Sequence, residues 1–197
     1  MRLFLAIRPP RAALDHLEPA LDGVRDRAGR ALCWTEPEQR HLTLAFHPEV
    51  PAGAVDDVVA VAGRIAAGHG PLDLHLAGAG EFSHRTLWVG VGGQVRELGA
   101  LLAEPWLADD DGRDRRRAHL TVAPVSGAAL RPRGRRRGEP RPPAPATVLL
   151  AEAVRALAVY RGPEWTADEV EVVASRLGEG RSGGPLHEVL ATVPLRG

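Results

Sequence analysis

His41-Leu42-Thr43-Leu44 and His119-Leu120-Thr121-Val122 are two copies of one tetrad: a histidine, an aliphatic residue, a threonine and a second aliphatic residue. Successive side chains of a β-strand leave on opposite faces, so each His and its Thr share a face, about 7 Å apart. The two aliphatic residues share the other face and can be buried. Each copy therefore reads as a half-buried strand that presents an imidazole and a hydroxyl. Together the copies can supply two imidazoles and two hydroxyls to one cleft. A third His-x-Thr, His84-Arg85-Thr86, has an arginine in the apolar position and sits in a polar stretch before Leu87-Trp88-Val89. It reads as a turn.

Working outward from the tetrads, Leu3 to Ile7 reads as a buried strand closed by Pro9-Pro10. Leu14, Leu17, Leu21 and Val24 recur at helical spacing, with Pro19 inside the pattern expected to kink or divide that helix. Pro51 opens a second helix carrying Val55, Val58, Val59, Ala62 and Ile65, and Val95, Leu98, Leu101 and Leu102 define a third. Leu72, Leu74 and Leu76 alternate as a strand, followed by glycines at 78 and 80, and Leu87 to Val91 forms another. Asp109-Asp110-Asp111-Gly112 reads as a turn before the second tetrad. Leu149, Leu150, Val154 and Leu157 suggest a fourth helix. Trp165 to Ala174 and Glu188 to Val193 read as two closing strands around a Gly-rich turn at 178–184. From Ser126 to Ala146 the chain is rich in Pro, Arg and Gly without apolar periodicity, which predicts an exposed, flexible loop. Its arginines lack interleaved aromatics, so they read as a solvated stretch, not as an RNA grip.

The order strand, helix, His strand occurs twice, with the two histidines 78 residues apart. The expectation is one α+β domain over residues 1–197, bilobal, with two pseudo-symmetric, mostly antiparallel sheets, helices outside and a central cleft.

Bulk composition bounds the rest. The chain has 197 residues, 44% of them apolar but only 4% aromatic, so Leu, Val and Ala must fill the core. Formal net charge is zero, which implies no polyanion partner from charge alone, and all 25 basic residues are Arg. The single cysteine, Cys33, excludes an intrachain disulfide and reads as a small buried residue. His41 and His47 have no Cys or carboxylate at ligand spacing, so neither a metal nor another cofactor is expected. His16, His69, His75, His84 and His187 read as surface or satisfied histidines. The apolar run Leu3–Ile7 is too short for a signal peptide or a membrane span, so a cytoplasmic monomer with no membrane partner is expected.

An unperturbed imidazole titrates near about 6.5, so of two facing rings one can take a proton from water while the other gives one to a leaving oxygen. Each role is worth roughly 10²–10⁴ in rate. The threonine hydroxyls can hold a phosphoryl group in line between them. A strained cyclic phosphodiester suits this equipment best.

The paired tetrads, with Leu3-Phe4-Leu5-Ala6-Ile7, Trp34, Ala45-Phe46, Leu87-Trp88-Val89-Gly90 and the stretch from Glu188 to Leu195, resemble the bacterial and archaeal RNA 2′,3′-cyclic phosphodiesterases of the two-histidine phosphoesterase superfamily. Those enzymes are also called 2′-5′ RNA ligases. The resemblance implies metal-independent opening of a terminal 2′,3′-cyclic phosphate to a 2′-phosphate, with RNA 3′ ends or nucleotide cyclic phosphates as partners. It implies His41 as general acid, His119 as general base, and Thr43 and Thr121 as phosphate-binding residues. The same four residues would serve small cyclic nucleotides or 2′-5′ ligation, and a non-catalytic RNA-end binder is the reading from another class. Two positions depart from the family. Ala118 and Pro124 stand where Pro and Arg are frequent around the second motif, leaving Arg115, Arg116 and Arg117 as candidate anion donors. The stretch Leu186-His187-Glu188 lacks an expected Tyr.

Overall fold

In the computed structural model, residues 1–107, 117–130, 145–180 and 183–197 are described. The first strand, β1 (Arg2–Ile7), shows how the sheet is built. Leu3, Leu5 and Ile7 enter the main core, whereas Phe4 and Ala6 belong to a separate small cluster with Val173, against which Phe46 packs. Period-2 alternation thus gives the sheet two covered faces with different jobs.

The other elements follow in chain order. They are α1 (Arg11–Ala28), β2 (Leu42–His47), α2 (Val55–Ala66), β3 (Leu72–Phe82), β4 (Thr86–Gly93), α3 (Val95–Leu102), β5 (His119–Pro124), α4 (Gly127–Leu130), α5 (Pro145–Leu157), β6 (Arg161–Ala167), β7 (Glu169–Arg176) and β8 (Leu186–Pro194). Leu14, Leu17, Leu21 and Val24 of α1, Leu98 and Leu101 of α3, and Leu150 and Leu157 of α5 share the core with Leu42, Leu44, Leu120 and Val122. The helices therefore cover one face of the sheet, and the faces of the His and Thr side chains look the other way. No helix among the described residues is long and apolar enough to cross a membrane.

All pairings are antiparallel, in the order β6-β3-β4-β5-β2-β1-β7-β8. The two expected sheets are the halves of this one sheet, β6-β3-β4-β5 and β2-β1-β7-β8. A single register pair, Leu42↔Leu120, joins them. So narrow a seam leaves the halves free to splay, and the α+β, pseudo-symmetric expectation holds in that form.

Several boundaries differ from the sequence reading. Pro19 does not divide α1. Pro19 is exposed, so water can satisfy the carbonyl it leaves without a donor, while the buried stripe carries the helix through. The strand read at 72–76 runs on to Phe82 through a register shift after Leu76. The stretch Trp165–Ala174 is two strands: Ala167 pairs with Leu72 in one half and Glu169 with Pro194 in the other, so the chain crosses between halves at Asp168. Within 126–146, residues 127–130 form the short α4 and helix α5 begins at 145. The remainder, 131–144, lies outside the described residues, as do the Asp109–Gly112 turn, Arg115 and Arg116. Cys33 is exposed, not buried. Its backbone N–H bonds Pro124 O along the edge of β5, which turns the side chain outward.

Candidate active site

The two tetrads meet at the seam. Because Leu42 lies opposite Leu120 in an antiparallel pair, continuing the register puts His41 beside Thr121 and Thr43 beside His119. Directly opposed Cβ atoms are about 5 Å apart and diagonal ones about 7–8 Å, so the two imidazoles occupy one diagonal of a small quadrilateral and the hydroxyls the other. Burial agrees: Leu42, Leu44, Leu120 and Val122 are buried, and His41, Thr43, His119 and Thr121 are partly exposed. Each tetrad also carries a bulge at the same place. Against the outer strand, Leu5↔Ala45 is followed by Ala6↔Thr43, skipping Leu44. Likewise Leu87↔Ala123 is followed by Trp88↔Thr121, skipping Val122. A bulge adds local twist and re-aims neighbouring side chains, so the fourth tetrad residue bends both His strands alike.

The rings are held alike as well. His41 Nδ1 lies 2.7 Å from Gln39 O, and His119 Nδ1 lies 3.0 Å from Arg117 O. A carbonyl only accepts, so each Nδ1 carries the proton and donates it, and in a neutral ring Nε2 is left as the acceptor. His41 stacks on Phe4 at 4.4 Å between centroids, and His119 meets Phe82 edge-on at 4.7 Å. The Trp88 ring centre is 6.2 Å from that of His119, with the Arg117 guanidinium 5.1 Å from the Trp88 centroid. Trp88 fits only because Gly80 lacks a side chain: a Cβ there would sit 2.1 Å from Trp88 Cζ2.

Burial pushes the His41 imidazolium down to about 4, with the hydrogen bond to Gln39 opposing and the charges of His187, Arg8 and His119 adding to the fall. His41 is thus neutral near pH 7 in the free protein. That a charge on His119 is felt at His41 accords with their diagonal placement. Arg8 is committed elsewhere, to the Glu171 carboxylate at 2.8–3.0 Å and to Glu38 O at 2.5 Å.

Sequence reading missed one residue of the cleft and two buried polar residues outside it. His187, set aside as a surface or satisfied histidine, stands in the cleft with its ring 5.4 Å from that of His41 and 5.0 Å from Phe4. Its register partner on β7 is Ser175, a pairing that no local pattern reveals. Burial, then Arg8 and Arg2, push its proton affinity down. His75, set aside with it, is buried with Nδ1 lacking a hydrogen bond and 4.0 Å from Glu164. Arg40, just before His41, is fully buried: it pairs with Glu18 and donates to Thr35 O at 2.9 and 3.1 Å. The third His-x-Thr is a turn, with positive φ at Ser83 and His84. Among the described residues no group of three His, Cys, Asp or Glu is arranged to hold a metal.

The curled antiparallel sheet with helices on one face has the fold of solved LigT structures, and the family model described as LigT like phosphoesterase matches residues 7–88, which include the first tetrad and stop before the second. An RNA 2′,3′-cyclic phosphodiesterase of Geobacillus stearothermophilus is 35% identical over 98 residues, which are 46% of this chain and 31% of that protein. The matched stretch therefore spans about a third of that relative's length. The Thermus thermophilus protein TT0787 superposes with a TM-score of 0.69 at 25% identity, covering 100% of this chain and 99% of that one. E. coli LigT, solved in complex with phosphate, has the same fold at a TM-score of 0.63 and 20% identity, with 100% and 98% covered. The chain shares sequence with this family over its first half and the fold over its whole length.

Proposed function

We propose that the chain is a two-histidine phosphodiesterase that opens a 2′,3′-cyclic phosphate at an RNA 3′ end to a 2′-phosphate without a metal ion. The observation that carries this is the Leu42↔Leu120 register, which sets each histidine beside the other tetrad's threonine. A phosphate over that quadrilateral has an imidazole on each of two opposite sides. Thr43 and Thr121 donate hydrogen bonds to its non-bridging oxygens and hold it in line. His119 takes a proton from water as the water attacks phosphorus, and His41 gives one to the 3′ oxygen as the P–O3′ bond breaks, leaving the phosphate on O2′. The two rings carry both proton transfers, so the chemistry asks for no metal-bound hydroxide.

His41 is neutral when free, so the substrate must supply its charge. A phosphate monoanion placed beside the ring favours the imidazolium and offsets the burial that opposes it. Proton uptake therefore accompanies binding, and the acid is armed only when the anion is present.

The test is an oligoribonucleotide ending in a 2′,3′-cyclic phosphate, incubated with the protein and a chelator. Conversion to a 2′-phosphate, lost in His41→Ala and in His119→Ala, is expected. A cyclic end that persists, or that opens only after a divalent ion is added, overturns the proposal.

A further inference from the structure

An open groove of about 250 Å³ leads away from His41 and Thr43 on the side opposite His119. Arg2, Phe46, Ser175 and His187 are among the residues lining it, and no carboxylate does. The Arg2 guanidinium lies 5.1 Å from the centre of the Phe46 ring. Arg2 Nε and His187 Nδ1 are both buried without a hydrogen-bond partner among the described residues. Two unsatisfied polar atoms on one groove are costly unless a ligand meets them. On the other half of the sheet Trp88 lies across Gly80, with its ring centre 6.2 Å from that of His119.

Distance identifies the occupant. Ala6 pairs with Thr43, and Arg2 precedes it by four residues on the same strand and face, about 13 Å along β1. An arginine side chain reaches part of the way back, so its charge falls about one nucleotide from the phosphate held at Thr43. A cation held beside the groove, with an imidazole nearby, matches one phosphodiester and one ribose of a single strand.

Resting on the activity proposed above, we infer that this groove is a second subsite, where Arg2 holds the internucleotide phosphodiester preceding the cyclic end and His187 hydrogen-bonds the adjoining ribose. The chain then prefers an oligonucleotide end to a cyclic mononucleotide.

The test uses equilibrium binding, so that it does not depend on turnover. Two ribodinucleotides ending in a 2′-phosphate are compared by calorimetry, one with an ordinary phosphodiester linkage and one with a neutral methylphosphonate linkage. The wild type is expected to bind the charged linkage about tenfold more tightly. Arg2→Gln brings that ratio below twofold, and Arg2→Lys keeps part of it. Equal affinities in the wild type, a ratio that survives Arg2→Gln, or no binding of either ligand overturns the subsite. His187→Phe keeps the ring but not the hydrogen bond, so it weakens the ribodinucleotide more than its analogue lacking the internal 2′-hydroxyl. An equal loss on both removes His187 from the subsite. Turnover of cyclic-ended versions is measured alongside: if no cyclic end opens, the catalytic reading fails, while the linkage ratio still decides the subsite.

Discussion

Lowering the pH from 7 to 4 charges His41, and the structure sets the size of the penalty. The ring falls from an ordinary 6.5 to about 4, mainly through burial against Phe4. A tenfold change in proton affinity is about 1.4 kcal/mol, so the neutral ring is favoured in the fold by about 3 kcal/mol. The unfolded chain binds this proton more readily than the folded one. Stability from a neutral His41 is therefore complete above pH 6.5, falls away between 6.5 and 4, and is lost below about 4. His187 works in the same direction, so the contribution of His41 is read as a difference. Urea unfolding of the wild type and of His41→Gln across this range should show the wild type losing about 3 kcal/mol more. Histidine ring resonances should place His41 near 4 in the free protein and higher once inorganic phosphate is added. A free His41 that titrates at 6.5, or that does not move with phosphate, refutes the desolvation argument and with it the arming of the acid by the substrate.

Arg40→Ala removes one partner of a buried ion pair and leaves Thr35 O without its two donors, so it should cost about 3 kcal/mol in urea unfolding. A loss under about 1 kcal/mol would mean that Arg25 alone satisfies Glu18. Gly80→Ala drives a Cβ into Trp88 and should lower stability by about 1–3 kcal/mol in thermal unfolding, whereas Gly99→Ala, with open space around it, should not. Thr43→Val and Thr121→Val should each lower kcat/KM on a cyclic phosphate by about 10- to 100-fold, the worth of one hydrogen bond to a charged group. Unchanged kinetics would take that threonine out of phosphate binding.

The tetrads were legible because their information is local. A period-2 alternation of His, Leu, Thr and Leu states which face is wet and which is buried, and the buried face of Leu42, Leu44, Leu120 and Val122 is the one that alternation dictates. Their meeting was legible only as a consequence of duplication, since one register pair between positions 42 and 120 carries it. The crossing at Asp168 carries no glycine or proline; its one local mark is a phase slip, from Trp165 and Ala167 to Val170 and Val172 across Asp168-Glu169, which is too short to separate two strands from one bulged strand. His187 was missed for a related reason. It reaches His41 through β8 on β7, β7 on β1 and β1 on β2, three pairings of which a short window of sequence holds none. Cys33 failed as a buried residue because composition speaks of averages, while a strand edge fixes one side chain's direction.

The most direct measurement is a crystal structure of the protein with inorganic phosphate or vanadate bound. The account predicts one anion at the seam, with Nε2 of His41 and of His119 each within about 3 Å of its oxygens and the hydroxyls of Thr43 and Thr121 on the remaining ones. An anion held by one histidine alone, or seated away from the Leu42–Leu120 pair, would contradict it.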